Sequence, residues 1–408
     1  MNYYKKESIA GWFIFLNILT LAQGIVPAFD AVYRLLLLLI FAISFLYAYK
    51  VNSEYGESGF IKSLNLLILL FTIYGIINIL NPIAATYIIL PDYRPYAYLT
   101  NAYRPLIQIY PLYYFSRKGY INEDVIKSWV LPSFMVVLIA YYVNSMSLSL
   151  SAISSVEKTN NVGYLIASLF PLLYFVRMRL MKYTLLVVTI VFVFVSAKRG
   201  AILIAGLSAI WFLYFDMKKA KSFNKIWILL LSAFAGVLLF MFITKIFEES
   251  YYLNYLLEKT ESGDSSGRDV LYSKAWDHFI NNSSLFTILF GNGADSTFSI
   301  IGNRAHNDWL EILLNQGLLG VLIYAYFWIQ ILKVWRKTRH DVIIFAVYGA
   351  AIIVLLPRTL FSMMYNDLSP VVCMPFTWCL AAIDANRRMK AKKIIEVRKW
   401  KNKVAKIL

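Results

Sequence analysis

The chain of 408 residues has two cysteines, three histidines and a charged fraction of only 15%. Cys373 and Cys379 both fall inside one apolar run near the end, where they can form neither an exposed metal cluster nor a loop-closing disulfide. Redox and zinc chemistry drop out, and no metal or cofactor is expected. Acidic residues are also short, at 23 Asp and Glu against 40 Lys and Arg. Polar surface is too scarce for a soluble domain.

What the chain has instead is hydrophobicity. Apolar residues make up 60% of it, and they recur in runs of roughly 17 to 25 residues, the length needed to cross a bilayer as a helix. The runs lie near residues 9 to 27, 31 to 49, 63 to 81, 100 to 116, 125 to 143, 161 to 176, 183 to 197, 200 to 215, 226 to 244, 308 to 332, 341 to 360 and 369 to 383. The expected fold is therefore an all-α polytopic membrane protein of about 12 transmembrane helices, both termini cytoplasmic, with one long external helical loop. Residues 1 to 244 would hold helices one to nine, 245 to 307 the external loop, 308 to 383 the last three helices, and 384 to 408 a basic cytoplasmic tail. The first run follows Lys5 and Lys6 as in a signal peptide, but no small-residue cleavage site follows it, so it is kept as a helix.

A net charge of +17 raises the question of nucleic acid. On the twelve-helix arrangement most Lys and Arg fall in cytoplasmic segments, as the positive-inside bias demands. The tail RRMKAKKIIEVRKWKNKVAKIL reads more simply as a helix on the anionic inner leaflet. No nucleic-acid partner is expected. The cations left outside are the exceptions, Arg34, Arg94, Arg104, Lys198, Arg199, Arg268, Arg304 and Arg358 among them. Interfacial snorkelling or pairing with external carboxylates explains any one of them. As a set, guanidinium groups at the outer leaflet suit an anionic, lipid-linked ligand such as a diphosphate.

Three stretches carry the candidate chemistry. SAKRGAIL, residues 196 to 203, leaves almost no loop between two apolar runs and so holds Lys198 and Arg199 at the top of a helical hairpin, with Gly200 permitting close approach. A cation at a helix start opposes the helix dipole unless an anion visits. GDSSGRDVLYSKAWDHFI predicts N-caps at Ser265 or Ser266 and an amphipathic helix through Leu271, Trp276, Phe279 and Ile280, with Arg268 in its first turn. NRAHNDWLEILLNQGLLG re-enters the membrane, with Asp308 and Glu311 spaced as a capping box and His306 left at the mouth. An imidazole there can take a proton near neutral pH, although a lone loop histidine is more often structural.

SAKRGA, GRDVLYSKAW, FGNGADS and above all AHNDWLEILLNQGLLG, in that order and around one long external loop, resemble the O-antigen ligase and polymerase superfamily of bacterial envelope glycan assembly. NNVGYLIASLFPLLYF resembles the family's span two helices before the hairpin, so the likeness covers about residues 155 to 330. It implies a glycosyltransferase of the bacterial inner membrane, multi-pass, acting at the outer face. The transfer would be inverting and metal-independent, with an undecaprenyl-diphosphate-linked oligosaccharide as donor. Carried over by residue, Arg199 and Arg268 would hold the diphosphate and His306 would act as base toward the acceptor or orient the reacting groups. Lys198, Arg304, Arg358 and Arg104 are further candidates for binding diphosphate or glycan. The His306 stretch reads more like the polymerase branch, whose acceptor is a second lipid-linked repeat unit, than the ligase branch, whose acceptor is lipid A core. A chain-length regulator is a further partner this reading allows. Transport of a lipid-linked glycan and a scaffold role are the readings from other classes. A transporter would place polar groups near the bilayer midplane, and a scaffold would tolerate loss of His306.

Overall fold

A computed structural model describes residues 3–22, 30–81, 94–151, 162–196, 198–219, 268–365 and 369–385. These residues are mostly helical, with no strand among them. In chain order the helices are α1 (Tyr3–Leu19), α2 (Asp30–Tyr55), α3 (Gly59–Leu80), α4 (Pro95–Ile107), α5 (Ile109–Arg117), α6 (Glu123–Ser151), α7 (Val162–Ala167), α8 (Arg179–Val195) and α9 (Arg199–Lys219). There follow α10 (Arg268–Asn281), α11 (Leu285–Phe290), α12 (Thr297–Ile301), α13 (Asp308–Lys337), α14 (Val342–Leu355), α15 (Arg358–Phe361) and α16 (Pro370–Ala385). Six segments are long and apolar enough to cross a membrane: Val32–Tyr55, Gly59–Leu80, Glu123–Ser145, Arg199–Lys218, Asp308–Lys337 and Val342–Phe361. Three shorter apolar helices accompany them.

The pattern on α3 shows why these helices suit lipid rather than water. Phe60, Leu64, Leu67 and Phe71 are buried against the bundle, while Leu66, Leu69, Ile73, Ile76 and Leu80 are exposed. A helix apolar on both faces needs an apolar solvent on the outer one. The described residues form one large core, in which Cys373 and Cys379 are buried free thiols, and a small second cluster of Ala275, Ile301, Ala305, Leu310 and Leu314.

Two of the apolar runs are not single helices. Residues 100 to 116 break at Gln108 between α4 and α5, because Pro111 has no N–H to return to the Ile107 carbonyl. Of the run at 161 to 176, residues 162 to 176 form only the short α7 and then a 3-10 helix, Phe170–Phe175, where Pro171 likewise removes the donor that would continue the α-helix. The run at 226 to 244, the first part of the external loop with the caps at Ser265 or Ser266, and most of the basic tail lie outside the described residues.

The longest helix, α13, is also interrupted. Gly317 sits at φ 68° and ψ −164°, which leaves carbonyls of the preceding turn without intrahelical partners. The FGNG stretch supplies them: Asn292 N–H donates to the Leu314 carbonyl at 2.8 Å and Gly293 N–H to the Asn315 carbonyl at 3.0 Å. Ser296 Oγ adds a hydrogen bond to Asn315 Oδ1 at 2.9 Å. Two motifs that are distant in sequence are thus one interlocked unit.

Candidate active site

The α8–α9 hairpin packs against α7 and α15, and the contact is tight. A Cβ on Gly200 would collide with the Tyr164 hydroxyl and lie 3.0 Å from Phe361 Cβ, and one on Gly163 would collide with Ser196 Oγ. The close approach that Gly200 permits is therefore to Tyr164, a residue the sequence did not single out. Tyr164 is buried and donates its hydroxyl to the Phe361 carbonyl at 3.0 Å.

Cations gather on this tyrosine. The Arg358 guanidinium lies 5.0 Å from its ring centroid and Lys198 Nζ 6.0 Å, distances at which the ring quadrupole attracts positive charge. Arg268, the first residue of α10, reaches the Tyr164 hydroxyl as a hydrogen-bond partner. Arg358 is 1% exposed, although its element is only four residues long. Three aromatic side chains fix that element: Tyr164, Tyr272, whose hydroxyl donates to the Leu360 carbonyl at 3.3 Å, and Trp309, whose indole N–H donates to Thr359 Oγ1 at 3.0 Å.

His306 stands at the edge of this group, on the loop that enters α13. Its backbone is left-handed, at φ 50°, a conformation non-glycine residues hold only where neighbours impose it. Those neighbours are identifiable. Ala305 N–H donates to Glu311 Oε2 at 2.8 Å, and Asn307 Oδ1 accepts from Trp309 N–H and Leu310 N–H at 3.0 and 3.2 Å. The N-cap is thus Asn307, and the Asp308–Glu311 capping box expected from spacing does not form. The left-handed turn at His306 brings Asn307 to the cap position and turns both carboxylates inward. Asp308 Oδ2 accepts from the Tyr324 hydroxyl at 2.6 Å and Met364 N–H at 3.2 Å, while Glu311 Oε1 accepts from Thr297 Oγ1 at 2.7 Å.

The imidazole keeps an exposed edge, yet its surroundings hold its pKa below the ordinary 6.5. Loss of hydration is the largest cause, followed by the positive charges of Arg268, Lys198 and Arg304. His306 is therefore neutral at pH 7, with a lone pair free to accept a proton, and three cations act on it at once. Arg304 is itself steered by Asp295, 3.9 Å from Nη2, by the Phe298 ring at 5.5 Å and by Met363 Sδ at 3.7 Å.

The structure thus brings together Lys198, Arg268, Arg304, His306 and Arg358 from the sequence candidates and adds Tyr164. Of the two hairpin cations, Lys198 is the one whose charge acts on His306, whereas Arg199 opens α9, half-buried, one residue on. Arg104 is placed elsewhere: its guanidinium lies over the Tyr33 ring at 5.3 Å, between α4 and α2. The signal that could have found Tyr164 is its aromatic ring in a glycine-flanked helix, but NNVGYLIASLF reads equally well as a plain span.

Such a site offers positive charge for a dianionic group and, beside it, a neutral base with an exposed edge. The family model described as O-antigen ligase matches residues 184–325, so this stretch is similar to the O-antigen ligase/polymerase superfamily. The match runs from α8 through the break at Gly317 and contains Lys198, Arg199, Arg268, Arg304 and His306, while Tyr164 and Arg358 lie outside it. No curated protein matches the chain. Members of the matched family are glycosyltransferase-like ligases or polymerases, and the six helices long and apolar enough to cross a membrane fit a membrane protein of that kind.

Proposed function

We propose that the protein is a surface-polysaccharide polymerase of the bacterial inner membrane. It would transfer an oligosaccharide from undecaprenyl diphosphate to a second lipid-linked repeat unit at the outer face. The observation that carries this reading is the grouping of Lys198, Arg268 and Arg304 around a neutral His306. The acceptor hydroxyl oxygen attacks the anomeric carbon with inversion, its proton passes to the imidazole, and the bond from that carbon to the phosphate oxygen breaks. Undecaprenyl diphosphate leaves with the electron pair. Arg268, Arg304, Lys198 and Arg358 would offset the charge that grows on the leaving phosphate, the role a metal ion plays elsewhere. Arg199 is assigned the same role from the likeness of its hairpin to the family's.

The cations also couple binding to basicity. A bound diphosphate neutralises the charges that depress His306, so its affinity for a proton rises once the donor is in place. On this reading the chain crosses the membrane about twelve times, with both termini cytoplasmic and His306 external. The basic last turn of α13, Arg336 and Lys337, at the end opposite His306, supports that orientation.

The description of the matched family favours a second reading, ligation of the finished glycan to lipid A core. Glycan profiling of a deletion strain separates the two. Core bearing a single repeat unit means polymerase, and core bearing none means ligase. Unchanged long chains with His306→Ala, at equal membrane abundance, would overturn both.

A further inference from the structure

The short helix α11 carries six residues, LFTILF, none of them buried. Leu285 is 74% exposed and Phe286 68%, and Leu289 and Phe290 are also open. On the neighbouring α10, Trp276 and Ile280 point outward as well, the reverse of what an amphipathic helix in water would do.

The position of α11 says what covers this surface. Its last carbonyl, on Phe290, accepts a hydrogen bond from the Tyr74 hydroxyl of α3, and Gly291 lies against the backbone of Asn315 and Gln316 in α13. Tyr74 is six residues inside the end of α3 and Asn315 seven residues inside the start of α13, which at 1.5 Å per residue places these contacts about 9 and 10 Å below the helix ends. The helix therefore does not rest on top of the bundle but dips beside two membrane-spanning helices. Leu318, Leu319 and Leu322, which follow the Gly317 break against which Leu289 and Gly291 lie, are exposed as well.

The backbone accounting agrees with that depth. Non-helical backbone is tolerated inside a bilayer only where protein satisfies its polar groups. The chain leaving α11 meets this condition: Gly291 N–H donates to the Thr287 carbonyl at 2.8 Å, and Asn292 and Gly293 N–H groups to the Leu314 and Asn315 carbonyls. The chain entering it is capped by Ser284 Oγ, which accepts from Thr287 N–H at 3.2 Å.

We infer that α11 is a re-entrant helix immersed in the outer leaflet, with Leu285, Phe286 and Leu289 in contact with acyl chains. It anchors α10, whose first residue is Arg268, and so sets the height of that guanidinium relative to the lipid phosphates. The inference stands on helix depth and exposure, takes its leaflet from the orientation proposed above, and does not require any particular transfer reaction.

Nitroxide labels on the full-length protein in nanodiscs of phosphatidylethanolamine and phosphatidylglycerol test it. Cysteine is introduced singly at Phe286 and Leu289, with Leu322→Cys as the lipid-facing control and Asp277→Cys as the aqueous one; the buried Cys373 and Cys379 stay in place. The expected result is an oxygen-to-nickel accessibility ratio at 286 and 289 that matches 322 and exceeds 277 several-fold. A ratio like that at 277 would overturn the inference. So would shielding from both reagents, which would mean that residues 245 to 267 or a second copy covers the face. Phe286 is exposed enough to label without disturbing packing, so the test survives if Leu289→Cys does not fold.

Discussion

Replacing Gly317 with alanine should unlock the two motifs that position the site. At φ 68° and ψ −164° the residue occupies a region essentially reserved for glycine, and any other residue held there costs about 1 to 3 kcal/mol. The added Cβ would also lie 2.5 Å from both Gly291 N and the Leu289 carbonyl carbon. Both are main-chain atoms, so no rotamer change relieves the clash and α11 must move away. That movement breaks the hydrogen bonds from Asn292 and Gly293 N–H to α13, each worth about 0.5 to 1.5 kcal/mol net. The expected loss is therefore about 2 to 6 kcal/mol. Gly206→Ala is the matched control, since a Cβ there meets nothing within 4 Å and the position is helical, so it should be neutral or stabilising by up to about 1 kcal/mol. Apparent Tm of the detergent-purified protein, followed by size-exclusion with fluorescence detection, reads both. Hydrogen exchange at residues 291 to 293 should speed up only in Gly317→Ala. Equal Tm and equal exchange in the two variants would refute the interlock.

The pH dependence of kcat/KM should show an acid limb below 6.5, set by His306 in the free enzyme; Arg268→Gln removes one depressing charge, so the limb moves to higher pH, whereas Arg268→Lys leaves it in place. A limb that stays put in Arg268→Gln would detach His306 from the reaction. Tyr164→Phe keeps the ring beneath Arg358 and Lys198 and loses only the hydroxyl's hydrogen bonds, at a cost of about 1 kcal/mol in thermal stability. Tyr164→Ala removes the ring as well and should cost about 3 to 5 kcal/mol together with most activity. Asn307→Ala should cost about 1 kcal/mol through loss of the cap, with a larger fall in kcat than in substrate binding because His306 loses its fixed backbone; an unchanged kcat would argue against that positioning.

Much of the helical layout was legible because apolar run length is a strong signal, and Arg268 does lie in a helix as GDSSGRD suggested. What misled was the assumption that apolar residues on an extramembrane helix point inward. Trp276 and Ile280 are exposed and Ala275 is buried instead. Spacing also proposed Asp308 and Glu311 as a capping box, but spacing cannot register a left-handed residue, and His306 shifts the cap by one. LLNQGLLG reads as uninterrupted helix, since one glycine within a span is ordinary; only the approach of Gly291 reveals the break. The candidate cations were visible individually, and their convergence on Tyr164 was not, because it joins α7, α9, α10 and α15 across long sequence separations. Arg104 shows the converse: an external arginine by sequence that the fold turns toward Tyr33.

The most direct test is transfer by the purified protein in liposomes with a defined undecaprenyl-diphosphate oligosaccharide, reading both extended glycan and released undecaprenyl diphosphate. The account predicts that the wild type forms both products in step. His306→Ala should lose about 100-fold or more of the rate, as removal of a general base does, and Arg268→Ala should fall comparably. Transfer undiminished in His306→Ala, with the protein equally abundant and folded, would contradict it.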